Sequence, residues 1–231
     1  MEKLTKKFYA PLFIIIILFN SQLKAYQDNF VTVSDIVKKI KFKFKELKSY
    51  QAEFKIISEK MGEEKHQKGE VKYQAPDKFL LNFHKPYGQK IIAKDHKMWI
   101  YIPTMNVVAE QDLDSKSGLI LTGSKSGLDR LFSKFHYQFA SKTQPEKQKD
   151  GSKKYTLLLK QRESRNGFRT IKLWVSEEFL ITKAQGKTSS RKEIEISFSK
   201  IKTNLQFKTG LFTFDIPSKA RVIKNPMILE E

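Results

Sequence analysis

The 231-residue chain contains no cysteine. That excludes disulfides, thiol catalysis, cysteine-based metal sites and a lipid-anchored N-terminus, which needs a cysteine at its cleavage point. Histidine is scarce as well. His66, His84, His96 and His136 are far apart in sequence, and none takes the i, i+4 spacing of a helical metal site. They read as surface residues, and no metal is expected. The adjacent carboxylates Glu63-Glu64, Glu177-Glu178 and Glu230-Glu231 fall in turns or at the C-terminus, so no acid–base pair can be built from them. No serine occupies a nucleophile elbow. The closest approach to a phosphate loop, Gly118 to Ser126, has Ser124 where that motif requires lysine directly after its second glycine. Nothing here predicts an enzyme or a cofactor.

No apolar run is long enough to span a bilayer. Leu12–Phe19 falls well short of the ~20 residues a spanning helix needs. With Glu2, Lys3, Lys6 and Lys7 before it and Leu23-Lys24-Ala25 after it, this run fits a secretory signal peptide over residues 1–25. Residues 26–231 then form a single exported domain, which without disulfides must be held by core burial.

Acidic residues are outnumbered 25 to 44 by Lys and Arg, for a net charge of +19. Setting aside residues 1–25, with four Lys and one Glu, leaves +16. Such a surplus favours anionic partners, and a basic polyanion-binding envelope protein is one function it allows. The basic residues are spread along the chain rather than gathered in one arm, which favours an ordinary solvated surface. Export argues against nucleic acid as the partner.

What the chain does have is alternation. Between Gly69 and Pro103, Val71 and Tyr73 alternate with polar residues up to Ala75-Pro76, and Phe79, Leu81 and Phe83 do so up to Lys85-Pro86. Ile91-Ile92 leads to Asp95-His96, and Met98 to Ile102 ends at Pro103. Period-two apolar runs punctuated by Pro and Asp predict consecutive antiparallel strands. In the last of these, Met98, Ile100 and Ile102 make one face apolar, and Trp99 and Tyr101 the other. A strand in an open meander needs only one apolar face, so something covers both sides.

Before this stretch, Val31–Leu47 predicts a helix capped by Thr32 or Ser34, with Ile36, Val37, Ile40, Phe44 and Leu47 on one face and lysines on the other. It can cover a core or lie on a membrane surface. Tyr50, Ala52, Phe54 and Ile56 predict the first strand, and Val107-Val108 a short one after Pro103. Residues 115–134 break the pattern, with an apolar knot at Leu119-Ile120-Leu121 and a short helix through Leu128, Leu131 and Phe132. They read as a cover over the sheet. Strand signals return at Tyr137–Phe139, at Tyr155, Leu157 and Leu159, and at Ile171, Leu173 and Val175. Phe179 and Ile181, then Ile194, Ile196 and Phe198, and finally Phe212–Ile216 complete the set. The expectation is a mainly β protein, a curled antiparallel sheet of about 10–11 strands. Its concave face is either filled by core or left partly open for an apolar guest, with Val71, Tyr73, Phe79, Leu81, Phe83, Trp99 and Tyr101 as candidate walls.

Four motifs in order carry a family resemblance: G-x-V-x-Y-x-x-P (Gly69–Pro76), F-x-L-x-F-x-x-P (Phe79–Pro86), D-x-K-x-W-x-Y-x-P (Asp95–Pro103) and F-T-F-x-x-P (Phe212–Pro217). The chain resembles the periplasmic lipoprotein carriers of the LolA type over essentially residues 26–231. The resemblance implies an unclosed half-barrel whose apolar concave face holds the acyl chains of a lipoprotein or lipid in transit to the outer membrane. A helical lid containing Ile36, Ile40, Phe44, Leu119, Leu128 and Leu131 would close it. It also implies a periplasmic monomer with an inner-membrane donor and an outer-membrane acceptor as partners. Lipid-binding proteins and envelope sensors share this fold. In such carriers an arginine before the proline of the first motif latches the lid, and Ala75 stands there in this chain. Either another residue latches the lid, or the lid is cycled differently.

Overall fold

The first described helix, α1 (Val33–Glu46), starts where Thr32 and Asp35 cap each other. The Asp35 amide donates to Thr32 Oγ1 at 3.2 Å, and the Thr32 amide donates to Asp35 Oδ2 at 3.2 Å. This reciprocal pairing satisfies two of the free donors of a helix start. The Thr32 hydrogen bonds hold the Asp35 carboxyl below its ordinary pKa. Ile36, Val37, Ile40 and Phe44 are the buried stripe, as the periodicity predicts.

A computed structural model describes residues 31–113, 125–141, 144–148, 150–163 and 167–226. The expected signal peptide, Leu119 with its apolar knot, and Arg165-Asn166 of a hairpin turn lie outside these residues.

Strands β1 (Ser49–Lys60), β2 (Glu63–Gln74), β3 (Lys78–Lys85), β4 (Lys90–Lys94), β5 (Lys97–Ile102) and β6 (Val107–Asp112) form an antiparallel meander. Helix α2 (Lys125–Lys134) follows, then β7 (Phe135–Phe139), β8 (Glu146–Lys147), β9 (Lys153–Gln161) and β10 (Phe168–Ser176). The last three strands are β11 (Ile181–Thr188), β12 (Glu193–Thr203) and β13 (Arg221–Lys224). All join one unclosed sheet of thirteen strands in the order β13-β6-β5-β4-β3-β2-β1-β12-β11-β10-β9-β7, with β8 beside β9. The central join is β1 against β12, which puts Phe54 opposite Phe198 and Ile56 opposite Ile196. All pairings are antiparallel except that of β13 with β6.

The sheet is mainly the one the alternation announces, with two short additions and one loss. The two-residue strand β8 and the basic strand β13 have no period-two signal. Phe212–Ile216, expected as a strand, is instead turn and irregular chain that lies on the sheet. Phe179 sits in the β10–β11 turn at φ 61° rather than in β11.

Directly opposed residues share a face, so the pairings assign every strand residue to one of two sides. On the side that α1 and α2 cover lie Leu157 and Leu159 of β9, Leu173 and Val175 of β10, and Ala184 of β11. The same side continues through Ile196, Phe54, Val71, Leu81 and Ile91 to Ile100. Trp99 and Tyr101 face the other way. Their rings pack on Phe214 from the segment after β12, at centroid distances of 6.4 and 6.0 Å. The cover over the second face of β5 is therefore the chain's own C-terminal segment.

Candidate functional site

Two core clusters meet on the helix-covered face. One joins Ile36, Ile40 and Phe44 of α1 and Leu128 and Leu131 of α2 to strands β7, β9 and β10. The other joins Ala52 and Phe54 of β1 to Val71, Leu81 and Phe83 of β2 and β3. Tyr50 and Ile201 pack against both.

At this seam lies an apolar cavity of about 70 Å³. Phe44, Leu47, Leu128 and Leu131 roof it from α1 and α2 and the residues that follow α1. Its floor is the sheet: Tyr50 and Ala52 of β1, Ile196, Phe198 and Ile201 of β12, Ala184 and Ile181 of β11, and Leu173 of β10. The Tyr50 hydroxyl is the only polar side-chain group in this lining, and burial pushes its pKa well above the usual tyrosine value. The walls offer an apolar guest dispersion contacts and almost no hydrogen bonding, so they select for hydrocarbon over any polar ligand. Small residues matter on the floor. Ala52 and Ala184 leave space where a leucine would fill it.

The roof is held by modest contacts. Lys41 Nζ of α1 lies 2.9 Å from Asp129 Oδ1 of α2, with both side chains more than a third exposed. Lys41 also lies over the Phe132 ring, 5.9 Å from its centroid, and Lys39 over Phe179 at 5.0 Å. Exposed pairs of this kind contribute about 0–1 kcal/mol each. Ala75 is exposed in the turn after β2, and its amide donates to the Lys48 carbonyl at 2.9 Å. Its methyl side chain can latch nothing, and among the described residues the ion pair between the two roof helices is Lys41–Asp129. Arg130 of α2 leaves Nη1 buried without a hydrogen-bond partner among the described residues. In sequence it looks like one more solvated cation.

Of the expected lid residues, Ile36, Ile40, Phe44, Leu128 and Leu131 come together in one cluster, and Phe44, Leu128 and Leu131 reach the cavity. The expected wall residues are placed differently. Val71, Leu81 and Phe83, with Phe79 beside them, fill the second cluster rather than lining the cavity. Tyr73 stands one step away, stacked on Tyr50 with ring centroids 5.3 Å apart. Trp99 and Tyr101 are on the opposite side of the sheet and cannot line it. The walls come instead from β1 and from β10–β12, whose alternation is plain in sequence. What sequence lacks is the β1–β12 pairing that sets those residues against the helices. Among the described residues, no group of three or more His, Asp or Glu could hold a metal ion.

A sequence profile of the family described as outer membrane lipoprotein carrier protein LolA matches residues 45–215, from the end of α1 to just past the Phe214 contact. An outer-membrane lipoprotein carrier protein of Chromohalobacter salexigens is 27% identical over 160 residues, 68% of this chain and 70% of that protein. A protein of the same name from Methylobacillus flagellatus is 28% identical over 87 residues, 37% of this chain and 42% of that protein. The second match thus spans less than half of that relative's length. Among solved structures, an uncharacterized conserved protein from Thermus thermophilus superposes with a TM-score of 0.55. It is 12% identical, with 83% of this chain and 98% of that one covered, a likeness of fold alone.

Proposed function

Because this chain belongs to the LolA family of outer membrane lipoprotein carriers, we propose that it is a periplasmic carrier that shields lipoprotein acyl chains in transit to the outer membrane. The observation that carries this reading is the apolar cavity roofed by α1 and α2. At about 70 Å³ it holds only a few water-sized groups, too little for an acyl chain. A guest therefore enters by displacing the roof, and its hydrocarbon replaces the roof side chains against the floor.

The energetics fit such an exchange. Each methylene removed from water contributes roughly 0.8 kcal/mol, so one acyl chain offsets the contacts the helices give up. Reclosure regains those contacts and favours release, with no nucleotide required at this protein. The Lys41–Asp129 pair ties the two roof helices to each other but is exposed and weak, so the helices can part through it when a guest enters. Cleavage after Ala25 would deliver residues 26–231 to the periplasm as a single carrier domain. Its donor would stand in the inner membrane and its acceptor in the outer membrane.

Native mass spectrometry of the protein produced with its own leader in a bacterial envelope tests the reading. Adducts with the mass of a diacylglyceryl-modified peptide or phospholipid are expected. A purified protein that carries no lipid and takes up no acylated peptide would overturn it. Transfer of a labelled lipoprotein to acceptor membranes separates a carrier from a lipid-sensing scaffold of the same fold.

A further inference from the structure

On the side of the sheet away from the helices, three lysines of neighbouring strands stand in one row. Lys55 of β1 is directly opposite Lys68 of β2, and Lys68 is set against Lys85 of β3 at a β-bulge that leaves His84 unpaired and returns Lys85 to the side of Lys68. Ser197 of β12 completes the row beside Lys55. Opposed residues in an antiparallel pair have Cβ atoms about 4.5–5.5 Å apart, and like charges there repel.

The nearby acids do not relieve this. Glu53 is held by Lys200 at 2.8 Å. Glu70 is held by Lys72 at 2.8 Å and by Gln51 at 2.6 Å. Glu64 pairs with His66 at 3.1 Å, and Glu195 pairs with Lys183 at 2.8 Å. None of Lys55, Lys68 and Lys85 has an ion-pair partner among the described residues. The row also lines an open cleft of about 460 Å³, to which Ser197 and Ser199 add hydroxyls, His66 and His84 imidazoles, and Glu53 a carboxylate that Lys200 neutralises. Three ammonium groups without ion-pair partners suit a tetrahedral oxyanion, since Lys binds phosphate as a point charge; the Ser199 hydroxyl, and that of Ser197 on leaving its long 3.5 Å bond to the Lys55 carbonyl, can donate to the remaining oxygens.

We propose that Lys55, Lys68 and Lys85, with Ser197, form a binding site for a phosphate group on the face opposite the apolar cavity. A bound dianion neutralises the opposed lysines, so occupancy and sheet stability rise together. The site uses a different face from the guest cavity and stands or falls independently of it.

The test is thermal unfolding of the full mature chain in sodium phosphate and in sodium chloride at matched ionic strength, with titration calorimetry of inorganic phosphate. Phosphate should raise the wild-type Tm above that in chloride, and Lys68→Gln should abolish the difference and weaken phosphate affinity roughly tenfold or more. Lys38→Gln removes the same charge from exposed α1 and should leave both readouts unchanged. In chloride alone, Lys68→Gln should unfold at the same or a higher temperature, as loss of repulsion requires. A second arm uses phosphatidylglycerol vesicles. Lys68-dependent capture on them, competed by inorganic phosphate, assigns the group to a lipid headgroup, whereas Lys68-dependent binding of inorganic phosphate alone assigns it to a soluble phosphate compound. Equal stabilisation by phosphate and chloride, or equal losses in Lys38→Gln and Lys68→Gln, would overturn the site.

Discussion

Tyr50 and Tyr73 stand directly opposite each other on β1 and β2 and stack with ring centroids 5.3 Å apart and planes inclined by 30°. Tyr50 lines the cavity and Tyr73 does not, so the pair is the link between the cavity and the Gly69–Pro103 stretch. Phe44 of α1 meets the same Tyr50 ring edge-on at 6.5 Å. One tyrosine thus touches the roof helix, the floor of the cavity and the neighbouring core cluster.

That burial makes Tyr50 sensitive to alkali. Desolvation, and then the nearby Tyr73, raise its folded pKa above the ordinary value of 10.0. The folded state therefore holds a proton that the unfolded state releases, and stability present below pH 10 falls as pH climbs past it. Tyr50→Phe removes this titration. Its Tm should fall less than that of wild type between pH 8 and pH 11, and parallel curves would refute the assignment.

Filling the floor separates guest capacity from folding. Ala184→Leu places three more carbons at the cavity wall, which has space for them. Lipid retained in native mass spectra should drop severalfold, with Tm unchanged or raised. By contrast, Phe83→Glu buries a carboxylate in the second cluster, where Phe83 is 3% exposed. It should unfold the protein at room temperature rather than merely empty it.

The roof tie can be reversed by charge. Asp129→Lys sets two cations where Lys41 and Asp129 now meet at 2.9 Å. Because both groups are exposed, equilibrium stability should change by no more than about 1 kcal/mol. Exchange of a fluorescent fatty acid should become several times faster, and added salt should shrink the difference. An unchanged exchange rate would show that the two helices do not open through this contact.

Phe214 gives the opposite face its own readout. Phe214→Ala removes the ring beside Trp99 and Tyr101 and should cost about 1–2 kcal/mol, since that ring is only half-buried. In a Trp174→Phe background, Trp99 emission should shift to the red as water reaches the indole. Its hydrogen bond to Glu110, 3.2 Å from Nε1 to Oε2, keeps the ring in place while it does so.

Most strands were legible because alternation is a local signal. Val71 and Tyr73, Phe79 to Phe83 and Met98 to Ile102 each declare a strand within a few residues, and the turns between them fix the hairpin registers. Helix α1 was legible for the same reason, and of its two candidate caps, Thr32 and Ser34, the structure uses Thr32. The double-faced strand at Met98–Ile102 was correctly read as covered on both sides, but the identity of the second cover was not. Phe214 lies more than a hundred residues away, and the alternation of Phe212, Phe214 and Ile216 reads as one more strand and is silent about a contact with Trp99. Strand β13 is similarly silent, because its charged residues pair through their backbones with β6.

By itself, then, the sequence determined the elements: a mainly β chain, an amphipathic first helix, and an apolar surplus. Only the tertiary structure decided where that surplus goes. The pairing of β1 with β12 joins residues about 140 positions apart, and its register depends on the whole sheet assembling rather than on any local turn. It turns Ile196, Phe198 and Ala184 towards α1 and α2, consigns Val71, Leu81 and Phe83 to the neighbouring core, and leaves Trp99 and Tyr101 on the far side. A side chain's face follows from its strand's alternation, but what that face meets is a property of the closed set of long-range pairings.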